Sequence, residues 1–425
     1  QGMWAASLRY HEGRFCICFV ANDTRKTYLY TSEKIDGPWK KQLIEGFYHD
    51  GSLLFDEDGR NYIVYGNDEI WITELNEDLT APKKDGLHRL LVSDHKNPEL
   101  GYEGSHIQKI NGYYYIFLIH SLRDRWMRTE ACFYSDSLEG EFTGGDVLCD
   151  DRGYCGQGVA QGGIVDTPDG KWYAMLFQDS GAVGRIPILL PVTWKDHFPF
   201  FGQNGHVPEE IEVHSTRPGY IYQPLVGSDD FCNGLLPRWQ FNHDPDPRYY
   251  HLDALQGTYT ITTREVCTEL TQAVNTLTQR MSYPSCAAEV TVDASALKEG
   301  DVAGLCALQS CYAAVGITKH HGKYEVLMLD KKEDGILDMT EGTVVESHQM
   351  DFRLEADFCN MKDEARCYYR VNKGDWLPIG TVHKLYFKLD HFTGCRFGLF
   401  CYAAEETGGS ACFRDFKYYD VDEIS

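Results

Sequence analysis

The chain has 425 residues, 43% of them apolar and 13% aromatic, and carries a formal net charge of −24. That length exceeds what one compact domain usually holds, so two domains are expected. No apolar run reaches the roughly 18 residues of a membrane-spanning helix, and so acidic a chain repels nucleic-acid phosphates and anionic lipid, which excludes both as partners and leaves uncharged polar ligands compatible.

In chain order, the first half reads as hairpins. Four stretches look alike: WAASLRYHEGRFCICF from Trp4, DGSLLFDEDGRNYIVY from Asp50, EGSHIQKINGYYYIFL from Glu103 and QGGIVDTPDGKWYAML from Gln161. Each sets two β-rich runs around a turn glycine, Gly13, Gly59, Gly112 and Gly170. These glycines lie 46, 53 and 58 residues apart, and a repeat of about 50 residues made of short strands is the signature of propeller blades. Counting nine residues back from each glycine lands on Trp4, Asp50, Glu103 and Gln161. Inner strands of a propeller start at one mouth of the central channel, so these four side chains are expected to ring the axis at the same register. Carboxylates beside a tryptophan suit a sugar, whose hydroxyls need acceptors and whose ring needs an apolar wall. The alternative is that the first residue of an inner strand is merely solvated.

Residues 206–225, with Pro208, Pro218 and Pro224, read as a linker between a first domain at 1–205 and a second at 226–425. The second half is also antiparallel β, with alternating runs such as AAEVTVD and hairpin turns at His321-Gly322 and Lys373-Gly374, and reads as a sandwich. The fifteen cysteines are odd in number and include no CxxC. They read as small buried hydrophobes in a reducing, cytoplasmic setting rather than as a disulfide framework.

The hairpin sequences carry a resemblance. WAASLRYHEGRF, HDGSLLFDEDGRNYIVYG, YEGSHIQKINGYYYIF and GGIVDTPDGKWYAMLFQDSGAVGRIPILLPVTW are similar to successive blades of glycoside hydrolase family 43, in its β-xylosidase and α-L-arabinofuranosidase branch. The segments DDFCNGLLPRWQFNHDPD, NTLTQR and CRFGLFCYAAEETGGSACFRDFKYY resemble the concanavalin A-like β-sandwich that follows the propeller in that branch. The resemblance implies an all-β chain: a five-bladed propeller followed by a sandwich that closes over the pocket. It implies exo-acting, inverting hydrolysis of xylan- or arabinoxylan-type oligosaccharides, with no cofactor required. Which pentose is removed, and whether the protein forms a homo-oligomer, no motif encodes.

An inverting glycosidase needs a general acid at the glycosidic oxygen and a general base on a water across the ring, with carboxyl groups roughly 6.5–9.5 Å apart. By resemblance, Glu103 is the acid and Asp50 the carboxylate that orients it and, through its charge, disfavours ionisation of the donor. The family's base is an Asp at the start of its first blade, and four repeats are visible here where the family has five. The base is therefore expected in a first blade upstream of Gln1, so that these 425 residues alone are expected to hydrolyse glycosides poorly or not at all, and a propeller that binds glycan without cutting it is the alternative reading. Arg185 matches a substrate-reaching arginine, against a surface ion pair. Trp4 is open between a ring-stacking wall and core packing, and His106 between site support and a structural histidine. Arg125, Trp126 and Arg128 are expected in a loop near the leaving group. Gln161 stands where many members have a histidine near a central calcium, which puts that metal in doubt. Asp229, Asp230 and Asp415 are candidate ligands of a structural calcium in the sandwich, against a solvated acidic turn. Phe397 and Phe400 are open between pocket wall and core.

Overall fold

Each of the four repeats folds into an antiparallel sheet of four strands paired in chain order. The computed structural model describes residues 2–388 and 392–420. Blade 1 holds β1 (Met3–His11), β2 (Arg14–Ala21), β3 (Lys26–Ser32) and β4 (Lys40–Ile44). Blade 2 holds β5 (Ser52–Phe55), β6 (Asn61–Asn67), β7 (Glu69–Leu75) and β8 (His88–Ser93). Blade 3 holds β9 (Glu103–Ile110), β10 (Tyr113–Ser121), β11 (Arg128–Ser135) and β12 (Thr143–Leu148). Blade 4 holds β13 (Ala160–Asp166), β14 (Trp172–Asp179), β15 (Arg185–Lys195) and β16 (Phe198–Phe201). Four blades are thus present among the described residues, one fewer than the resemblance implies.

The period-two alternation of the strands stacks the blades. On β10, Tyr114, Ile116 and Leu118 join Leu54, Tyr62 and Val64 of blade 2, while Tyr115 and Phe117 join Ile164, Leu176 and Leu190 of blade 4. Both faces of this strand are buried, which is why its sequence runs apolar without alternation. Cys16, Cys18 and Leu29 pack against Leu53, Ile63 and Leu75 between blades 1 and 2. A side chain of this size contributes about 1.5–3 kcal/mol when fully buried, so these interfaces hold the blades together.

The outer faces of blades 1 and 4 differ. On blade 1, Leu8 pairs with Ile17, Tyr10 with Phe15, Ile17 with Tyr30 and Phe19 with Tyr28, so these side chains share one face. Leu8 is 48% and Tyr10 64% exposed. On blade 4, Val165 and Met175 share the outward face at 53% and 49% exposure.

Every inner strand carries a bulge at its start. Trp4 pairs with Val20 and Ser7 with Cys18, so three steps on β1 face two on β2. The same three-against-two offset separates Glu103 from His106, and Ala160 from Gly163. In blade 2, the Gly66 N–H donates to the His49 carbonyl while Ser52 pairs with Val64, which gives the same offset. The next residue in each blade has positive φ: Ala5 at 34°, Asp50 at 48°, Gly104 at 66° and Gln161 at 67°. Trp4, His49, Glu103 and Ala160 are therefore equivalent, and Asp50 belongs one step later, with Gln161. The expected common register of Trp4, Asp50, Glu103 and Gln161 is corrected on this point. The cause is turn length: β1–β2 and β9–β10 close over two residues, whereas β5–β6 and β13–β14 close over five, 56–60 and 167–171.

Arg9 crosses three blades. From β1 its Nε donates to the Leu53 carbonyl at 3.0 Å, and Nη2 donates to Ser52 Oγ at 2.8 Å and to the Ile107 carbonyl at 2.9 Å.

The chain divides into two units, Gln1–Asp179 with Ile186–Ser215, and Ser180–Arg185 with Thr216–Ser425. Residues 208–225 hold no strand or helix. In the second unit, two antiparallel sheets of eight and seven strands form a sandwich among the described residues. Its strand Ser285–Asp293 runs between Gln349–Asp357 and Ser410–Asp420. Phe397 and Phe400 are both fully buried, so they are core rather than wall.

Candidate active site

The bulges aim the site residues. Glu103 is the last residue before the bulge of blade 3, and Asp50 occupies the bulge of blade 2. The Gly104 N–H donates to Asp50 Oδ2 at 3.1 Å, and Ser105 Oγ lies 2.8 Å from the Asp50 carbonyl and 2.9 Å from that of Val64. Asp50 is 6% exposed and held on both its backbone and its carboxylate. The Glu103 side chain is 22% exposed and accepts a bond from Asn67 Nδ2 at Oε2, 2.7 Å. One carboxyl is thus enclosed and the other reaches solvent.

His49 stands between them, with Nε2 3.6 Å from Asp50 Oδ2 and 3.7 Å from Glu103 Oε2. Burial acts to lower the His49 pKa. The adjoining Glu103 carboxylate and the negative charge of Asp50 outweigh burial and an opposing Arg25, so the net shift is upward. The nearest donor atoms of the three side chains lie within 4.8 Å of one another. That is closer than the separation of an inverting acid–base pair, which must admit a water. Asp50 therefore has the geometry of a partner to Glu103 and not of a base facing it across a sugar.

The other expected residues are distributed around this pair. The Trp4 ring lies 6.2 Å from that of His49, at 59° to it. A Cβ on Gly104 would meet the Gln161 side chain at 2.6 Å, so Gln161 packs directly against the turn that carries Glu103. His106 lies on β9 beyond the bulge, close to Gly163, and burial with the nearby Arg9 charge brings its pKa down to about 3. It is a neutral imidazole under ordinary conditions. Arg128 opens β11 rather than sitting in a loop; it is buried and ion-paired with Asp179, and its guanidinium lies 4.9 Å from the centre of the Phe177 ring. Arg125 and Trp126 precede this strand in an exposed turn. Arg185 belongs to the second unit, with its guanidinium 4.5 Å from the centre of the Phe392 ring.

The calcium candidates Asp229, Asp230 and Asp415 all lie near Cys232, but among the described residues their donor atoms are not spaced to hold one cation. Asp229 accepts the Phe231 N–H at Oδ1 and the Trp239 indole N–H at Oδ2, both 2.8 Å, so each oxygen already serves the fold. Asp230 accepts the Cys232 N–H at 2.9 Å. Among the described residues, the set of His, Cys, Asp and Glu donors spaced to hold one cation is His49, Asp50 and Glu103.

Sequence reasoning missed three residues. His49 directly precedes Asp50, and the bulge register, not visible from turn glycines alone, makes it the counterpart of Glu103. Asn67 comes from the end of β6, and nothing in its sequence context marks it. Glu130 on β11 is fully buried; its Oε2 accepts the Gln161 N–H at 2.7 Å, and its Oε1 has no hydrogen-bond partner. Burial drives its pKa well up, against the Gln161 bond and the Arg128 charge.

Residues 1–199 match the family model for glycosyl hydrolases family 43, and residues 228–419 match that for the beta xylosidase C-terminal concanavalin A-like domain. A putative beta-xylosidase of Xylanibacter ruminicola is 28% identical over 334 residues, covering 75% of this chain and 60% of that protein. A solved structure described as a bifunctional GH43-CE of Bacteroides eggerthii superposes with a TM-score of 0.87 at 40% identity, over 100% of this chain and 55% of that one. Another, a GH43 glycoside hydrolase engineered to display both endo-xylanase and exo-arabinofuranosidase activity, gives a TM-score of 0.83 at 26% identity, over 99% and 86%. The chain thus spans 60% of that curated relative's length and 55% of the Bacteroides eggerthii chain.

Proposed function

The chain belongs to family 43 of the glycosyl hydrolases, and from that membership we propose that it releases single pentose units, xylose or arabinofuranose, from the ends of xylan- or arabinoxylan-type oligosaccharides with inversion. The observation that carries this reading is the pair of an enclosed Asp50 and an open Glu103 on adjacent inner strands. Glu103 is the proton donor to the leaving oxygen, and Asp50 orients it. Trp4 is the apolar wall for the sugar ring. Gln161 and His106 support the pair from behind. The catalytic unit is residues 1–205, joined through 206–225 to the sandwich at 226–425. A structural calcium at Asp229, Asp230 and Asp415 forms no part of this reading, because among the described residues their donor atoms are not spaced to hold one cation.

The general base belongs to a fifth blade. The exposed apolar faces of blades 1 and 4, with Leu8 and Tyr10 on one and Val165 and Met175 on the other, support such a neighbour. Blades are stable when both faces are covered, and apolar sheet faces of this extent are normally packed.

The test follows the products of arabinoxylan oligosaccharides by proton NMR, using the protein with the base-bearing fifth blade in place; residues 1–425 alone, which offer no base, should hydrolyse poorly. Monomeric pentose released first with the inverted anomeric configuration supports the reading. Internal cleavage, a retained anomer, or binding of xylose or arabinose without turnover contradicts it, the last in favour of a recognition module.

A further inference from the structure

We propose that His49, Asp50 and Glu103 form an inhibitory site for a borderline transition-metal cation such as Zn²⁺ or Co²⁺, and that Ca²⁺ and Mg²⁺ do not occupy it. The inhibitory half rests on the hydrolytic reading above; the binding half does not. One imidazole nitrogen and two carboxylate oxygens lie within 4.8 Å of one another, with the nitrogen 3.6 and 3.7 Å from the oxygens. Ligands about 2.0–2.1 Å from a tetrahedral zinc stand about 3.3 Å apart, so the imidazole needs to close by only a few tenths of an ångström on each carboxylate.

The two oxygens are already aimed. Asp50 Oδ2 accepts the Gly104 N–H at 3.1 Å, and Glu103 Oε2 accepts Asn67 Nδ2 at 2.7 Å. A carboxylate oxygen offers two lone pairs, so each keeps one for a metal. The fixed donors act as the outer partners that orient ligands in metal sites. The His49 and Glu103 side chains are 23% and 22% exposed, which leaves an entry path and a fourth position for water. An imidazole with two carboxylates falls short of the six to eight oxygens that Ca²⁺ takes, and its nitrogen donor suits Zn²⁺ rather than Mg²⁺.

A cation coordinated by Glu103 takes that carboxylate away from the leaving oxygen it must serve, and hydrolysis stops while the metal is present. Nothing covalent changes, and a chelator reverses it.

The test uses the full chain. Zn²⁺ binding is followed by calorimetry, and the Co²⁺ form by its visible spectrum. Co²⁺ on nitrogen and oxygen gives ligand-field bands without the strong near-ultraviolet band of thiolate ligation that the exposed Cys149, Cys155, Cys232 and Cys359 would give. The expected result is one site of nitrogen–oxygen type, insensitive to serine at those cysteines. His49→Gln and Glu103→Gln should each weaken it at least about tenfold, since losing even an outer-shell partner costs that much. Ca²⁺ and Mg²⁺ at equal concentration should give no binding heat at the site. Zinc affinity unmoved by His49→Gln, or a thiolate spectrum lost with the cysteines, overturns the proposal. His49-dependent binding with zinc-insensitive hydrolysis overturns its inhibitory half. Binding as expected in residues 1–425, which offer no base and should turn over poorly, supports the metal site alone; binding in a protein that carries the fifth blade and still hydrolyses nothing strikes the hydrolytic reading instead.

Discussion

His49 and Glu103 hold the same place in adjacent blades. Each is the last residue before the bulge of its inner strand, and His49 Nε2 stands 3.7 Å from Glu103 Oε2. Asp50 takes the bulge position itself, and its carboxylate is tied back to the Gly104 N–H at the bulge of the next blade. A backbone irregularity repeated in every blade therefore draws an acid, its carboxylate partner and an imidazole to one point.

Glu103→Gln keeps shape and hydrogen bonding but removes the transferable proton. Activity on xylo- or arabino-oligosaccharides should fall by roughly 10²–10⁴, the usual contribution of a placed proton donor. A nitrophenyl glycoside, whose leaving group departs without help, should lose much less. Steady-state kinetics on both substrates checks this, and equal losses would remove Glu103 from the donor role.

Asp50→Asn should leave the fold intact, because asparagine enters the left-handed region that φ of 48° requires more readily than most residues. It removes the negative charge that faces His49 Nε2 at 3.6 Å. The kcat on oligosaccharides should fall while the unfolding temperature holds, and an unchanged kcat would leave Asp50 only a structural part.

Gly104→Ala places a Cβ at 2.6 Å from the Gln161 side chain in a backbone with φ of 66°. Strain of this kind costs about 1–3 kcal/mol. Thermal unfolding should report that loss, and kcat should fall with it because Gly104 is bonded to Asp50 and adjoins Glu103. A fully stable and fully active variant would contradict the packing described.

Glu130→Gln tests the buried carboxyl. Burial raises its folded-state pKa above 4.5, so the folded chain binds a proton that the unfolded chain releases. Its contribution is complete below 4.5 and is lost as pH climbs toward the raised folded value. Glutamine does not titrate. The stability of Glu130→Gln relative to the parent should therefore rise with pH across that window, as measured by denaturant unfolding at stepped pH. A constant difference would show that Glu130 is not protonated in the fold.

The blade repeat was legible because short alternating strands and turn glycines recur, and Glu103 and Asp50 were found through it. Their relative register was not, because Glu12-Gly13 and Asn111-Gly112 close two-residue turns while 56–60 and 167–171 are five-residue loops, and a count from the glycine cannot tell them apart. His49 and Asn67 were invisible for a related reason: one depends on that register and the other arrives from the far end of β6. Arg128 was read as a loop cation, although it is buried with Asp179, because a charged residue two positions after Trp126 gives no sign of a partner 51 positions away.

Arg9 bears on how the propeller comes apart. In radial repeats each unit touches only its neighbours, so melting can in principle spread one unit at a time. Arg9 reaches from blade 1 past blade 2 to the Ile107 carbonyl of blade 3 and so couples units that do not adjoin in sequence. Fraying of any one of these three blades leaves a half-buried guanidinium short of the acceptors it shares with the other two. Partial melting from the blade 1 side is thereby discouraged, and the three blades unfold as a single cooperative block. Lysine cannot replace this, since a point charge lacks the planar fork that serves several acceptors at once.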